Sequence, residues 1–200
     1  MQGNKNLDMA ILKLNSTNVI TESNNVATID NNVVFPAGHI LQVQSKNETV
    51  IRNTSSTSFV EIHTDFFAEL TTLGNNSKIL VQGTLNLAAS NVGLRMGAVM
   101  YRSIAGAAYA VTDFRADTGG SRARALFGSV TGGNLDQVLN VGFSFVDSPA
   151  QNVGTVLRYK PYWFCESSGY YVYLNRNARD IDDFSHARSV SNVVITEIAQ

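Results

Sequence analysis

Hydrophobic and polar residues alternate one by one in several segments after Phe35, and this period constrains the fold more than any other feature. The clearest segment is LNVGFSFVD at 139–147, where Leu139, Val141 and Phe143 are separated by small or polar residues. A period of two is that of a β-strand with one buried face. No amphipathic helical pattern longer than two turns follows residue 35. Strands are predicted at 39–46, 49–53, 57–63, 78–88, 94–103, 107–112, 122–130, 137–147, 154–165, 169–176 and 189–198.

Glycine and asparagine occupy the joints between these segments, as at 74–76, 119–120 and 132–133. Many short strands separated by regular turns predict an all-β fold, a jelly-roll-like β-sandwich. Pro161 lies inside one predicted strand. Because proline cannot donate to a ladder of hydrogen bonds, we expect that strand to be an edge strand or to be bulged at this position.

A proline and a glycine close together mark a boundary in the stretch FPAG at 35–38. Pro36 has a fixed φ angle and Gly38 permits a sharp turn, so the chain is expected to turn there into its first long strand. The sequence therefore predicts two parts: an extended N-terminal arm at 1–34 and a head domain at 35–200.

The arm is rich in Asn, Ser and Thr and contains one apolar stretch, LDMAILKL at 7–14. Leu7, Ile11 and Leu14 fit one stripe of a helix, whereas Leu7, Met9 and Ile11 fit one face of a strand, and eight residues do not decide between the two. The stretch is too short to fold alone, so we expect it to dock onto a partner in a larger assembly. The predicted anchoring residues are Leu7, Met9, Ile11 and Leu14.

Charged residues are scarce, at 16% of the 200 residues, and the formal net charge is −1. Binding to nucleic acid or to an anionic membrane depends on an excess of basic residues, so neither is expected. No apolar run is long enough to span a bilayer, and membrane insertion is not expected. The single cysteine, Cys165, cannot form an internal disulfide and is predicted to be a small buried residue.

Few residues have the spacing of a metal site. Glu61, His63 and Asp65 alternate along one predicted strand, but structural zinc normally takes four ligands, so we interpret them as a solvated polar face. The aspartates within 180–183 could begin a calcium loop. Because two arginines lie beside them, we favour a structural loop tied by pairs of arginine and carboxylate. No metal ion and no cofactor is expected.

Five stretches of the head, taken in their order along the chain, resemble one known protein family. They are FPAGHILQV at 35–43, NSKILVQG at 76–83, FVDSPA at 145–150, YLNRNARDID at 173–182 and SNVVITEIA at 191–199. Together they resemble the C-terminal β-domain of tail-fibre and other virion structural proteins of marine and cyanobacterial tailed bacteriophages, over about residues 33–200. The resemblance implies a β-sandwich head, a homotrimer and a location on the surface of the virion. It brings no catalytic residues.

The resemblance leads to two functional expectations. The first is a short tail fibre whose head binds a host receptor without catalysis, since several weak identical sites bind with avidity. The alternative is a capsid or tail decoration protein whose arm staples neighbouring subunits. A long shaft usually precedes the domain in this family, and only residues 1–34 precede it here, which favours a short fibre or a fixed knob. The expected partners are two further copies of the chain, other virion proteins through 1–34, and a glycan or protein of the host surface.

A glycan-degrading enzyme is a lesser alternative. Such an enzyme would need two acidic residues that face one cleft. The acidic residues of the chain follow no catalytic motif, and no repeat of about 20–50 residues typical of β-helical depolymerases occurs. The chain is therefore predicted not to be an enzyme. The acids considered are Glu61, Asp65, Glu69, Asp113, Asp117, Asp136 and Glu166.

Two sets of residues are candidates for receptor contact. The loop DFRADTGGSRARALFG at 113–128 has the composition of a binding loop, and its arginines could contact a host glycan or an acidic surface. The favoured interpretation is a solvated loop whose arginines pair with aspartates across a subunit interface. Its candidate residues are Arg115, Asp117, Arg122 and Arg124. An aromatic set could stack on sugars, although the core or an interface is the favoured interpretation. Its members are Tyr159, Tyr162, Trp163, Phe164, Tyr170, Tyr171 and Tyr173.

Overall fold

The computed structural model describes residues 11–14, 17–23, 26–29, 35–131 and 133–200. The chain divides into two compact units, 1–36 and 37–200. The described residues contain strands, turns and loops and no helix, which confirms the all-β prediction for this part of the chain.

The first unit contains a small antiparallel sheet of three strands: β1 (Ile11–Leu14), β2 (Thr17–Ser23) and β3 (Val26–Ile29). Strand β2 lies in the middle and pairs with both neighbours. The sequence left open whether the apolar stretch at 7–14 is a helix or a strand. Its described part, Ile11–Leu14, is a strand. The predicted anchoring residues Leu7 and Met9 lie outside the described residues, whereas Ile11 and Leu14 are the first and last residues of β1.

The second unit consists of two six-stranded antiparallel sheets, here called the front sheet and the back sheet. The front sheet contains β6 (Val60–Glu61), β7 (Ala68–Thr71), β9 (Arg95–Ile104), β10 (Ala110–Val111), β11 (Phe127–Thr131) and β13 (Val156–Cys165). The back sheet contains β4 (Ile40–Glu48), β5 (Arg52–Thr54), β8 (Lys78–Ala89), β12 (Leu139–Asp147), β14 (Val172–Leu174) and β15 (Ser191–Ile198).

One hydrophobic core lies between the sheets and is built from the inward side chains of both. Tyr159 and Trp163 of β13 are fully buried there, together with Val81 and Leu87 of β8 and Ile195 of β15. Each of these residues sits at an alternate position of its strand, so the period read from the sequence places them on one face. Removal of these large side chains from water is the main term that stabilises a two-layer fold of this kind.

The entry of the chain into the head is a turn at the predicted position. Gly38 has a φ of +88°, a value that glycine adopts without steric cost. Its N–H donates to the carbonyl of Ala199 at 2.9 Å, and the N–H of Ala199 donates to the carbonyl of His39 at 2.8 Å. Strands β4 and β15 continue from this point as an antiparallel pair, so the first and last strands of the unit are neighbours.

The prediction for Pro161 is wrong: β13 is an inner strand, in unbroken register with β9 on one side. On its other side, pairing with β7 ends at Tyr159 and pairing with β6 begins at Tyr162. The carbonyl of Pro161 points to that side, where it accepts a hydrogen bond from Ile62 N at 3.3 Å. Because the N and O of a strand residue point the same way, the missing N–H faces the break between two short strands. No ladder bond is lost there.

One strand of the second unit, β7, was absent from the sequence prediction. Ala68 and Leu70 are buried and alternate with the exposed Glu69 and Thr71, but four residues with two apolar positions are a weak pattern. Strand β7 forms because it pairs with β13, which lies far along the chain. The predicted strands at 107–112 and 122–130 are present only as the shorter β10 and β11.

Candidate functional site

The outer face of the front sheet is the strongest candidate for a binding site. Alternate residues of β13 that do not enter the core lie on this face, opposite outward residues of β9: Lys160 pairs with Tyr101, and Tyr162 with Val99. Rings from the segments before β6, β7 and β10 complete the surface. We define the aromatic face as Phe59, Phe67, Tyr101, Tyr109, Tyr162 and Phe164, all of which are half-buried.

The rings of the aromatic face pack against one another in ordered pairs. Tyr101 and Tyr162 are stacked, with centroids 3.9 Å apart and planes inclined at 24°. Phe59 and Phe164 meet edge to face, with centroids 5.1 Å apart. Paired rings of these geometries lose little freedom when a ligand arrives, because their positions are already set.

Lys160 is the most unusual residue of this face, since a lysine on the outside of a sheet is only 5% exposed. Its Nζ lies 2.8 Å from Oε2 of Glu61, 4.6 Å from the centroid of the Tyr109 ring and 5.6 Å from that of Phe67. The carboxylate and the two rings compensate for the water that the ammonium has lost. The amine is therefore held in one place.

A second ion pair extends the same pattern. Arg158 donates from Nε to Oε2 of Glu69, and its guanidinium carbon lies 5.1 Å from the centroid of the Phe67 ring. The two cations of the face, Arg158 and Lys160, are thus each matched by a glutamate. The face combines rings with charges that balance one another.

The phenol groups of Tyr109 and Tyr162 are hydrogen-bond donors at neutral pH. Burial raises the pKa of Tyr109, and burial with the nearby Glu61 carboxylate raises the pKa of Tyr162. Aromatic rings can stack on the apolar side of a sugar, and neutral hydroxyls and paired charges can form hydrogen bonds with its hydroxyl groups.

The receptor-contact candidates from the sequence lie together in the loop between β10 and β11. Arg124 donates from Nε to the carbonyl of Ala116 at 2.7 Å, and Arg122 donates from Nη1 to the carbonyl of Gly119 at 3.2 Å. Both arginines therefore close the loop on itself. Arg115 and Asp117 lie in the same loop, and among the ion pairs of the described residues none joins an arginine to an aspartate within it.

The aromatic set identified from the sequence is divided by the structure. Tyr159 and Trp163 are core residues, and Tyr162 and Phe164 belong to the aromatic face. The remaining tyrosines lie near β14 in the back sheet, where the rings of Tyr171 and Tyr173 stack with centroids 6.3 Å apart. Four members of the aromatic face were missed because they come from other segments: Phe59, Phe67, Tyr101 and Tyr109.

The alternating set Glu61, His63 and Asp65 does not form one site. Glu61 binds Lys160, whereas Nδ1 of His63 lies 3.8 Å from Oε2 of Glu48 and accepts from the N–H of Asp65. Within the described residues, no group of three side chains is arranged to hold a metal ion.

The loop that follows β14 is tied by arginine and carboxylate pairs, as predicted. Asp180 lies 3.5 Å from Arg176 and 3.1 Å from Arg188, and Asp136 lies 3.0 Å from Arg179. Each aspartate in these pairs already has a cation as its partner. The geometry therefore matches the structural interpretation of the loop.

Several acids considered for glycan hydrolysis are also held in ion pairs. Glu61 and Glu69 pair with Lys160 and Arg158, and Glu166 binds Arg95 at 2.6 Å. Hydrogen bonds from Arg95 lower the pKa of Glu166, which keeps this group ionised. An ionised, paired carboxylate is unsuited to the role of general acid.

Cys165 is fully buried, as predicted. Its Sγ donates to the carbonyl of Ser167 at 3.2 Å, and burial raises the pKa of the thiol. The thiol form is inert toward electrophiles and oxidants.

His186 provides a test of the loop after β14. Its Nδ1 lies 2.9 Å from Oδ1 of Asp183, and its Nε2 lies 3.3 Å from Oδ1 of Asp136, which Arg179 also approaches. The hydrogen bond to Asp183 is the main cause of the raised pKa of His186. The same bond from His186, together with the hydrogen bonds from Ser185, lowers the pKa of Asp183 to about 2. The charged imidazole therefore stabilises the loop below pH ~6.5, and this contribution is lost as pH rises through the raised pKa.

We expect the His186 ring to titrate above the ordinary histidine value, and Asp183→Asn to return its pKa toward about 6.5. The measurement is an NMR titration of the imidazole ring. Asp182→Asn, in the same loop, is the matched control and should leave the His186 titration unchanged. Equal titration curves for the wild type and Asp183→Asn would contradict the assignment.

The fold and the face together define a class of protein: a two-sheet antiparallel domain with an ordered, charge-balanced aromatic surface on one sheet. No protein-family model matches the chain, and no curated protein matches it either. No helix of the described residues has the length and apolar character needed to cross a membrane.

Proposed function

We propose that the chain is a structural protein of a bacteriophage virion, a short tail fibre whose jelly-roll-like head binds the host surface without catalysis. The sequence resemblance to the C-terminal β-domain of tail-fibre proteins supports the virion assignment. The aromatic face supports the binding role, and it is the observation on which the proposal chiefly depends. We place the receptor contact on this face and take a surface glycan as the ligand.

The chemistry of the aromatic face suits an uncharged or weakly charged sugar. The apolar side of a sugar ring stacks on the rings of Tyr109 and Tyr162, and the sugar hydroxyls bind the phenol groups and the ion pairs. Because Lys160 and Arg158 are each neutralised by a glutamate, the face exerts little net attraction on a charged ligand. Specificity would come from shape and hydrogen bonds.

Avidity is the second element of the proposal. A single small face on one chain binds weakly, whereas a homotrimer with three such faces, repeated on one particle, holds a surface through several contacts at once. The loop residues Arg115, Asp117, Arg122 and Arg124 are a secondary candidate contact in the same head. The side-chain hydrogen bonds from Arg122 and Arg124 to backbone carbonyls give the loop a defined shape.

The alternative function is a capsid or tail decoration protein, and one observation favours it. Four apolar residues of the small N-terminal sheet are 39–59% exposed: Ile11, Leu12, Val26 and Ile29. Exposed apolar residues concentrated in so small a sheet favour contact with another protein. In both proposals residues 1–34 hold the chain to other virion proteins.

Tyr109→Ala is expected to weaken binding of the full chain to the host's purified surface polysaccharide by about tenfold, because a stacking ring and the cap over Lys160 are both removed. Biolayer interferometry on immobilised polysaccharide measures the effect. Tyr171→Ala is the matched control, since it removes a more exposed tyrosine next to the back sheet, and it should leave the affinity unchanged.

Equal affinities for the wild type and Tyr109→Ala would remove the aromatic face from the proposal. Release of reducing sugar from the polysaccharide during the same incubation would contradict a role without catalysis. Light scattering on the same sample checks the trimer, whose mass would be three times 21.7 kDa.

A further inference from the structure

A separate pocket lies where the edges of the two sheets come together. Strand β5 is the outer strand of the back sheet and β6 the outer strand of the front sheet, and the pocket opens between them. Its volume is about 330 Å³, which is at the small end of ligand sites in proteins. It is lined by Ile51, Arg52, Asn53, Ile62, His63 and Arg176.

The lining of this pocket is cationic in a chain whose net charge is −1. Arg52, His63 and Arg176 all contribute to its wall, and no acidic residue does. The nearest carboxylate to two of them is Glu48, whose side chain is only 8% exposed. The Oε2 atom of Glu48 lies 3.3 Å from Arg52 and 3.8 Å from His63, and its Oε1 accepts the N–H of Val50 at 2.9 Å. One carboxylate is thus shared among three groups.

Arg176 is held in place in a way that leaves donors available. Its guanidinium carbon lies 3.8 Å from the centroid of the Tyr173 ring, and its Nη1 donates to the carbonyl of Asn177 at 3.3 Å. Its nearest acid is Asp180, at 3.5 Å, which is also bound by Arg188. The Nε and Nη2 atoms of Arg176 donate to no described residue. The Tyr173 ring fixes the orientation of the Arg176 guanidinium, and therefore the directions in which its N–H groups point. A planar guanidinium with a fixed orientation suits bidentate binding of an oxyanion.

We propose that this pocket binds the phosphate or carboxylate group of a sugar-sized ligand. Arg176 and Arg52 would bind the oxyanion, His63 would add a further donor, and Ile51 and Ile62 would contact the apolar part of the ligand. The site shares no residue with the aromatic face and does not depend on the proposed saccharide contact there. A failure of one assignment therefore leaves the other standing.

The test is an NMR titration of the isotope-labelled full chain with three probes: inorganic phosphate, galacturonate and galactose. We expect phosphate and galacturonate to shift the signals of Arg52, His63 and Arg176 in a saturable manner, and galactose to leave these signals unchanged. The tighter of the two anions identifies the group that the pocket prefers. Binding should weaken as sodium chloride is raised, because the contact is ionic and partly exposed.

Arg176→Gln is expected to weaken anion binding about tenfold or more, since a charge-assisted bidentate contact is lost. Arg188→Gln is the matched control: it removes the other arginine that binds Asp180 but lies outside the pocket, and it should change the affinity less than twofold. If Arg176→Gln unfolds, His63→Gln takes its place, with an expected loss of about threefold. Equal shifts with galactose, no shift at about 10 mM anion, or equal losses in both arginine variants would overturn the proposal.

Discussion

Glu197→Ala is expected to lower the free energy of unfolding by about 3 kcal/mol. The Glu197 side chain is fully buried at the end of β15. Its carboxylate accepts the backbone N–H groups of Leu73 at 2.9 Å and Gly74 at 3.0 Å, and the side-chain amide of Gln42 at 2.6 Å. Removal of the carboxylate leaves two backbone donors without an acceptor in a partly buried site, where each such donor costs about 1–3 kcal/mol.

Chemical denaturation in urea, followed by circular dichroism, measures this loss. Glu166→Ala is the matched control, because Glu166 likewise accepts a backbone N–H and a side-chain donor, both from Arg95, but lies exposed, and its loss should be clearly smaller than that of Glu197→Ala. Glu197→Gln keeps one acceptor oxygen and should fall between the two. A loss for Glu197→Ala no larger than that of the control would contradict the role of this carboxylate.

Asp147→Ala is expected to cost about 3 kcal/mol as well, for a different reason. Asp147 ends β12 in the back sheet and is 5% exposed. Its Oδ2 accepts a hydrogen bond from Nη1 of Arg102 in β9 and another from the hydroxyl of Tyr159 in β13, at 2.7 Å. This one carboxylate therefore connects the two sheets, and its loss leaves the Arg102 guanidinium without its partner in a half-buried position.

Tyr159→Phe gives the smaller effect in the same network, about 1 kcal/mol, because only one hydrogen bond is removed. Burial and the adjacent Asp147 carboxylate raise the pKa of Tyr159, so its hydroxyl is a donor at neutral pH. A double-mutant cycle by urea denaturation should show that the two losses do not add. Additive losses would mean that the three groups do not act as one network.

This network also bears on the aromatic face. Tyr159 lies between Arg158 and Lys160 in β13, and Arg102 lies next to Tyr101 in β9. The inward residues of these strands are fixed by Asp147, while the outward residues form the candidate site. A change at Asp147 that still permits folding is therefore expected to disturb saccharide binding without a direct contact to the ligand.

Long strands were predictable from the sequence because a period of two over eight or more residues is a strong local signal. Strands β8, β9, β12, β13 and β15 all begin and end within two residues of their predicted bounds. The three short strands β5, β6 and β7 were poorly predicted or missed. Two to four residues hold too few alternations to rise above chance, and these strands exist because a long neighbour pairs with them.

The candidate site was only partly predictable. In VLRYKPYWFC at 156–165, Arg158 and Lys160 alternate with Tyr159, and Trp163 lies an odd number of positions from both cations, so the sequence alone puts the two cations on the face opposite the two rings. The partners of these cations could not be predicted in this way. Glu61 precedes Lys160 by 99 residues, and Glu69 precedes Arg158 by 89. No local sequence pattern predicts contacts over such separations.

By itself, the sequence determined the class of the fold, the turn into the head at Gly38, and the core-facing sides of β12 and β13. All three depend on interactions between residues close in the chain: the pleat of the backbone, the φ angle of glycine and the burial of alternate side chains. The tertiary structure alone decided the order of strands in each sheet, the inner position of Pro161, and the joining of distant rings and charges into the aromatic face and the cationic pocket. These depend on which strands pair, and pairing is selected by the packing of the whole core, to which residues far apart in the chain contribute together.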